Sequence, residues 1–197
     1  MRASIFAAAL ALFTVGGAMA ADSPAYVASA VADATRPKDD TAADALRDPS
    51  DTLAFAGVKP GMVVGELFPG GGYFTRMLSD VVGPKGKVFG LENAGWTDAV
   101  SADQQLLAGP GLKNVTLDVE PFGQFKLPQQ IDLFWITQNY HDLHIAKYGA
   151  VDMAEFNHRV FAALKPGGIY FILDHQDRKS TRLNSSHQCL SRMPSSA

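Results

Sequence analysis

Short apolar runs alternate along the chain with longer segments in which apolar positions recur every three or four residues. The runs predict five strands, at residues 62–68, 87–91, 114–119, 131–137 and 169–173. The longer segments predict helices at residues 73–82, 98–107 and 152–164. Alternating strands and helices with short connections are typical of a parallel sheet covered by helices on both faces. The pattern therefore predicts an α/β fold with a doubly wound, mostly parallel sheet that ends after the fifth strand.

The first predicted strand runs into the most distinctive segment of the chain, Pro69 followed by Gly70, Gly71 and Gly72. Glycine adopts positive φ readily and lets a ligand approach the main chain closely. Between a strand and a helix, such a loop typically holds a nucleotide-like ligand, although a tight turn without a ligand is the simpler alternative. Glu92 follows Gly72 by twenty residues, at the end of the second strand, where an acid can accept hydrogen bonds from ribose hydroxyls.

The segment after the fourth strand concentrates polar side chains at the edge of the sheet where open α/β folds bind ligands. His141 or His144 could act as a base tuned by Asp142, and Asn139 or Tyr140 could orient an acceptor atom. A metal site is a weaker interpretation, because one loop supplies no closed set of ligands and cysteine is absent nearby. The simplest alternative is a polar loop that hydrogen-bonds its own backbone.

Two motifs carry a resemblance to a known family. Glu66 followed by L-F-P-G-G-G resembles motif I of the class I S-adenosylmethionine-dependent methyltransferases, acid-x-G-x-G-x-G, with Phe68 in place of the first glycine. The segment L-K-P-G-G at residues 164–168 resembles that family's link from the fourth helix to the fifth strand. With F-A-G-V-K-P-G-M at residues 55–62 and Q-N-Y-H-D-L-H at residues 138–144, the chain resembles a group of predicted exported methyltransferases over residues 52–175.

The resemblance implies a Rossmann-like fold and S-adenosylmethionine as the cofactor, with methyl transfer to an unidentified acceptor. The cofactor would contact the following residues: Glu66, Phe68, Pro69, Gly70, Gly71, Gly72, Glu92 and Asn139. The catalytic candidates are His141, Asn139, Tyr140 and Asp142, and no metal is expected.

The chain also departs from the family pattern. Gly123 stands where many members have an aspartate that contacts adenine. Members continue through a sixth strand and an antiparallel seventh, which this chain is expected to lack. Two other functions stay open: a non-catalytic domain that binds a nucleoside-like molecule, and an NAD(P)-dependent oxidoreductase. The second is disfavoured because the G-x-G-x-x-G spacing is absent.

The N-terminal residues 1–20 resemble a secretory signal peptide, with Arg2, an apolar run at residues 5–15 and small residues ending at Ala20. We therefore expect export, to the periplasm, without a stable membrane anchor. Such an enzyme must obtain outside the cytoplasm a cofactor that is made inside it. Because Cys189 is the only cysteine, no intrachain disulfide can form. Residues 21–50 read as an extension with a short helix, and residues 51–177 as the methyltransferase-like domain, incomplete at its end.

Residues 178–197 contain six serines, four basic residues and no acid, and they show no strand or helix periodicity. They resemble translated adapter or vector DNA, and we expect them to be disordered. Without this tail and Arg2 the chain has 12 basic and 20 acidic residues, a net charge of −8 instead of −3. An acidic body without a basic patch argues against nucleic-acid binding. The resemblance implies a small-molecule cofactor and an unknown methyl acceptor as the partners. A fifth strand left at the edge would allow self-association.

Overall fold

The computed structural model describes residues 23–175 and the backbone of residues 189–194, so the proposed signal peptide lies outside the described residues. The helices are α1 Ala25–Val31, α2 Lys38–Arg47, α3 Pro49–Ala56, α4 Tyr73–Val82, α5 Thr97–Ala108 and α6 Met153–Ala163, with 3-10 turns at His141–His144 and Ala146–Tyr148. The strands are β1 Val63–Leu67, β2 Lys87–Asn93, β3 Val115–Glu120, β4 Ile131–Thr137, β5 Leu164–Asp174 and β6 Cys189–Pro194.

The strands form one sheet in the order β3-β2-β1-β4-β5-β6. The first five strands are parallel, and β6 pairs with β5 in the antiparallel direction. The order reverses between β1 and β4, so the loops that leave these two strands diverge and open a crevice. The Rossmann-like α/β fold expected from the sequence is confirmed.

Two apolar layers cover the sheet, one on each face. On one face, Met77 and Leu78 of α4 and Leu53 of α3 pack against Leu133 and Trp135 of β4. The other face buries the side chains of Phe134, Ile136, Phe156, Val160 and Tyr170. Alternate residues of β4 thus enter opposite layers, which explains why the strand is apolar without interruption from Leu133 to Ile136. On α6, Phe156 and Val160 are buried against the sheet, whereas Phe161 is 53% exposed.

The N-terminal extension is more ordered than the sequence predicts and packs against α4. The Arg36 guanidinium is buried and donates to both carboxylate oxygens of Asp44 at 2.9 and 2.7 Å. The Tyr73 hydroxyl also donates to Asp44, at 2.6 Å. Arg36 and Arg47 lie 5.5 and 4.5 Å from the Tyr73 ring centroid. This network joins the extension to the start of the helix that follows the glycine loop.

Two expectations about the end of the chain are corrected. The fold does not stop at the fifth strand, and residues 178–197 are not uniformly without structure, because Cys189–Pro194 forms β6. The physical reason is that an edge strand presents unpaired N–H and C=O groups, which another segment can satisfy through its backbone without an apolar pattern. The β5 edge that was expected to allow self-association is therefore occupied by β6.

Candidate functional site

The candidate site lies at the carboxyl ends of β1 and β4, where the strand order reverses. Each of these strands is followed by a non-glycine residue with left-handed backbone, Phe68 at φ 56° and Gln138 at φ 62°. Such conformations are uncommon outside glycine and are retained where the surrounding structure requires them. Phe68 thus keeps the positive φ at the position where the family motif has glycine.

Charged side chains hold the glycine loop from both sides. Gly70, Gly71 and Gly72 have φ of 58°, 84° and 89°, in the region that favours glycine. The Gly71 N–H donates to Asp103 of α5 at 3.4 Å, and the Gly71 carbonyl accepts from Arg76 of α4 at 3.2 Å. A Cβ on Gly71 would meet no atom within 4 Å, so the loop leaves open space at this point.

Three buried carboxyl groups lie together at this loop, contributed by β1, β2 and α5. Glu66, Glu92 and Asp103 are 2%, 3% and 1% exposed, and each has one carboxylate oxygen without a hydrogen-bond partner. Burial raises the pKa of Glu66 to about 8, and the nearby carboxyls of Asp103 and Glu92 add to the rise. A hydrogen bond with the Thr75 hydroxyl acts in the opposite direction and lowers this pKa. Burial likewise raises the pKa of Glu92 and of Asp103. Unpaired buried oxygens of this kind suit a ligand that brings hydroxyl donors or positive charge.

An aromatic wall lies beside the loop, built from the segments that follow β1, β2, β3 and β4. The Phe68 ring centroid lies 4.8 Å from that of Trp96 and 5.8 Å from that of Phe122, with the Phe68 and Phe122 rings stacked. Tyr148 meets Trp96 edge-on at 5.5 Å. Four consecutive crossovers thus place one aromatic ring each at the same edge of the sheet.

The loop after β4 brings a histidine against the end of β5. His141 Nδ1 lies 2.9 Å from Asp174 Oδ1, and the His141 backbone N–H donates to Asp174 Oδ2 at 2.7 Å. The second ring nitrogen lies 3.5 Å from Asp142 Oδ1, and the Asn139 amide donates to Asp142 at 3.0 Å. The His141 side chain is half exposed, so the ring is fixed by carboxylates while it stays accessible.

The structure brings the predicted residues into two groups at one edge of the sheet. Glu66 and Glu92 meet at the glycine loop, and Asn139, His141 and Asp142 form the second group. Tyr140 packs against His144, with ring centroids 5.4 Å apart. The described part of the chain holds no group of three histidine, cysteine or carboxylate side chains arranged to bind a metal ion.

Sequence reasoning missed two acids of the site, Asp103 and Asp174. Asp103 lies in an amphipathic helix among polar neighbours, and no local signal distinguishes it from a solvated residue. Asp174 directly follows the apolar residues of β5, and an acid at the carboxyl end of a parallel strand is a signal that could have identified it.

The structure explains why glycine stands at position 123, where the family pattern has an aspartate. Its φ is 74°, and a Cβ there would lie 2.7 Å from the Val151 side chain. A larger residue would have to displace the segment before α6. The structure therefore accounts for the absence of an acid at this position.

Comparison with known families identifies the fold and its class. The family model described as a methyltransferase domain matches residues 58–194, more than half of the chain. The chain belongs to the methyltransferase domain family. The match includes the glycine loop, the loop after β4 and β6. No curated protein is significantly similar to the chain.

Solved structures share this methyltransferase fold. A SAM-dependent methyltransferase from Aquifex aeolicus is 26% identical with a TM-score of 0.51, over 72% of this chain and 77% of that one. The glycopeptide N-methyltransferase MtfA is 20% identical with a TM-score of 0.53, over 68% of this chain and 52% of its own, and was determined with S-adenosylmethionine. A protein-L-isoaspartate O-methyltransferase is 21% identical with a TM-score of 0.51, over 75% of this chain and 40% of its own. The last two show the shared fold alone.

Proposed function

We propose that this methyltransferase-family protein transfers the methyl group of S-adenosylmethionine to an acceptor that is not yet identified. The observation that carries the proposal is the set of three buried carboxyls with unpaired oxygens beside the glycine loop. These groups fit a ligand with ribose hydroxyls and a positive charge and without phosphate. S-adenosylmethionine supplies an electrophilic methyl group on a sulfonium that becomes a neutral thioether when the methyl leaves.

The residues of the loop and strand ends would hold this cofactor. Glu92 at the end of β2 would accept hydrogen bonds from the ribose hydroxyls, and Glu66 would lie near the amino-acid portion. The main chain of Phe68, Pro69 and the three glycines would pass beneath the ligand, because the glycines have no side chain and let a ligand approach the backbone closely. Asn139 would contact the cofactor from the β4 side of the crevice.

His141 would act as the base when the acceptor nucleophile carries a proton. Asp174 accepts from Nδ1 in the tautomer that carries a proton there, which leaves the other ring nitrogen to receive the acceptor's proton. Asp142 and Asn139 form a hydrogen-bonded pair next to this nitrogen. Asn139 and Tyr140 would orient the acceptor. Alignment of the nucleophile with the methyl group would supply most of the rate enhancement.

We further propose that the protein is exported, because residues 1–20 have the charge, apolar run and small residues of a signal peptide. Within residues 23–175 and 189–194, the structure has no helix long and apolar enough to span a membrane. The acidic body supports small-molecule partners and argues against nucleic acid. Fractionation of cells that express the tagged chain would test the export, and recovery of full-length protein in the cytoplasm alone would contradict it.

Calorimetry of the purified chain with S-adenosylmethionine, S-adenosylhomocysteine and NAD tests the proposed cofactor. We expect both adenosyl ligands to bind and NAD not to bind. Gly70→Val should abolish binding of both ligands, because a β-branched side chain at φ 58° is strained and enters the ligand's space. Tight binding of NAD instead, or unchanged S-adenosylhomocysteine affinity in the variant, would refute the proposal.

A further inference from the structure

We propose that Asp103, together with Glu66 and Glu92, makes the cofactor site select the sulfonium of S-adenosylmethionine over the neutral thioether of S-adenosylhomocysteine by exchanging bound protons for the ligand's positive charge. The inference rests on the proposed function, since it assumes that both ligands occupy the space beside the glycine loop. Asp103 is thereby a residue that determines specificity between cofactor and product.

The geometry that carries this inference is the convergence of three carboxyls from three elements. Glu66 comes from β1, Glu92 from β2 and Asp103 from α5, and all three are almost fully buried. One oxygen of Glu92 accepts from the Asn93 N–H at 2.6 Å, and one of Asp103 accepts from Gly71 at 3.4 Å. The second oxygen of each of these acids receives no hydrogen bond from an N–H or hydroxyl donor, and Glu66 also has one such oxygen. Glu92 and Asp103 hydrogen-bond each other when one of the two holds a proton.

No basic side chain in residues 23–175 forms an ion pair with these acids. Each acid faces the other two, and α4 contributes the Thr75 hydroxyl toward Glu66. Arg76 of α4 is the nearby cation, but it binds the Gly71 carbonyl at 3.2 Å and Asp40 at 2.7 Å. The negative charge of the three carboxylates must therefore be neutralised by bound protons or by a positively charged ligand.

Three buried carboxyls without a cation cannot all be ionised cheaply, because burial penalises each charge and the charges repel one another. The ligand-free site therefore holds protons near neutral pH. S-adenosylmethionine and S-adenosylhomocysteine differ by the methyl group and by one positive charge at sulfur. A positive charge in a site of low polarity stabilises the ionised carboxyls, so the charged ligand should expel more protons than the neutral one.

The contact to the glycine loop does not by itself account for an acid at position 103. The amide oxygen of asparagine could accept the Gly71 N–H equally well, so holding the loop requires no carboxylate. A third acid next to two others only adds repulsion in the empty site. The charge of Asp103 is useful when a cation enters the site.

Calorimetry of the full chain tests the inference without reference to turnover. Each ligand is titrated at one pH in two buffers of different ionisation enthalpy, which gives the number of protons released. We expect S-adenosylmethionine to release more protons than S-adenosylhomocysteine. Between about pH 7 and pH 8, the affinity for S-adenosylmethionine should increase relative to that for S-adenosylhomocysteine by about three- to tenfold. About threefold corresponds to roughly half a proton more released by S-adenosylmethionine, and tenfold to one whole proton more.

Asp103→Asn should reduce both the pH dependence and the preference for S-adenosylmethionine, while Glu66 and Glu92 still titrate and S-adenosylhomocysteine still binds. Glu155→Gln makes the same change at an exposed acid of α6 and should leave both quantities as in the wild type. Sinefungin, which carries an amine in place of the sulfonium group, should follow S-adenosylmethionine in proton release.

Equal proton release by the two adenosyl ligands in the wild type would overturn the inference, and this measurement needs no variant. An Asp103→Asn protein that keeps both the preference and its pH dependence would also overturn it. These outcomes differ from failure of the proposed function, in which neither adenosyl ligand binds the wild-type chain.

Discussion

At the scale of single residues, Glu66 is the clearest conflict between fold stability and function. Its carboxyl is buried and its pKa is raised to about 8 by burial first and by its acidic neighbours second. A carboxyl with a raised pKa binds more protons in the folded state than in the unfolded state. The free energy of unfolding therefore falls as pH rises between the unfolded pKa and about 8.

The ligand-free protein should accordingly lose stability between about pH 6 and pH 8, at a rate of up to about 1.4 kcal/mol per pH unit from this group. Glu66→Gln should flatten this dependence, since glutamine does not titrate. Thermal unfolding at several pH values measures the effect, and Glu155→Gln serves as the exposed control. An unchanged slope in the Glu66 variant would show that Glu66 is ionised throughout this range.

The glycine loop allows a second prediction at this scale, because Gly71 and Gly111 form a matched pair. Both have positive φ, 84° and 106°, and a Cβ on either would meet no atom within 4 Å. Alanine at either position should cost about 1 kcal/mol of stability from backbone strain. Only Gly71→Ala should also weaken S-adenosylhomocysteine binding, because Gly71 lies in the proposed ligand site. Calorimetry and denaturant unfolding of both variants separate strain from ligand contact, and equal affinities in the two variants would place Gly71 outside the site.

At the scale of elements, the N-terminal extension contains a buried arginine paired with Asp44, and the Tyr73 hydroxyl of α4 donates to the same carboxylate. Arg36 is buried with its guanidinium on Asp44, and the hydrogen bonds from Arg36 hold the pKa of Asp44 below its usual value. The Tyr73 hydroxyl completes the network. The extension is thus part of the folded domain, and its attachment point is the residue directly after the glycine loop.

Removing one partner of this pair should be costly. Asp44→Ala leaves the buried Arg36 guanidinium without its carboxylate, with the Val31 carbonyl as its remaining hydrogen-bond acceptor, and should destabilise the protein by about 3–5 kcal/mol. Arg159→Ala, which breaks the exposed pair with Glu155 on α6, should cost no more than about 0.5 kcal/mol. Urea unfolding of the two variants measures the difference. Similar losses in both would mean that the buried pair adds no more stability than a surface pair.

At the scale of the whole molecule, β6 closes the edge of the sheet at β5. Its pairing runs antiparallel from Ile169 opposite Pro194 to Asp174 opposite Cys189. Without this pairing, the apolar strand β5 would present unpaired backbone groups to other chains. The carboxyl end of the same strand carries Asp174, which holds His141. The integrity of this edge therefore affects both solubility and the proposed base.

A chain that ends at residue 177 should associate at lower protein concentration than the full chain. Sedimentation velocity over a concentration series measures this tendency. The truncated chain should also have a lower melting temperature, because β5 loses its backbone partners along one side. Identical sedimentation and melting of the two chains would show that β6 contributes nothing to the edge.

Much of the fold was predictable from the sequence, because local patterns determine it. The apolar run of β4 and the helix from Tyr73 to Val82 have the boundaries that the sequence predicts. β5 begins at Leu164, but residues 165–168, where a turn was expected, pair with no residue of β4, and Gly167 has φ 78°. Regular pairing with β4 resumes at Ile169, the predicted start of the strand. The glycine loop and Glu92 were identified because each follows a strand directly, and parallel strands bring their carboxyl ends to one edge.

The sequence alone determined the alternation of strands and helices, the glycine loop and the family, because each depends on a pattern of residues that are close together in the chain. Only the tertiary structure decided which distant charges meet. Asp103 of α5 reaches the glycine loop, and Asp174 at the end of β5 reaches His141 in the loop after β4. Burial and charge pairing depend on the packing of elements far apart in the chain, so no local pattern encodes them. The same reason explains β6, whose strand form comes from the open edge of β5.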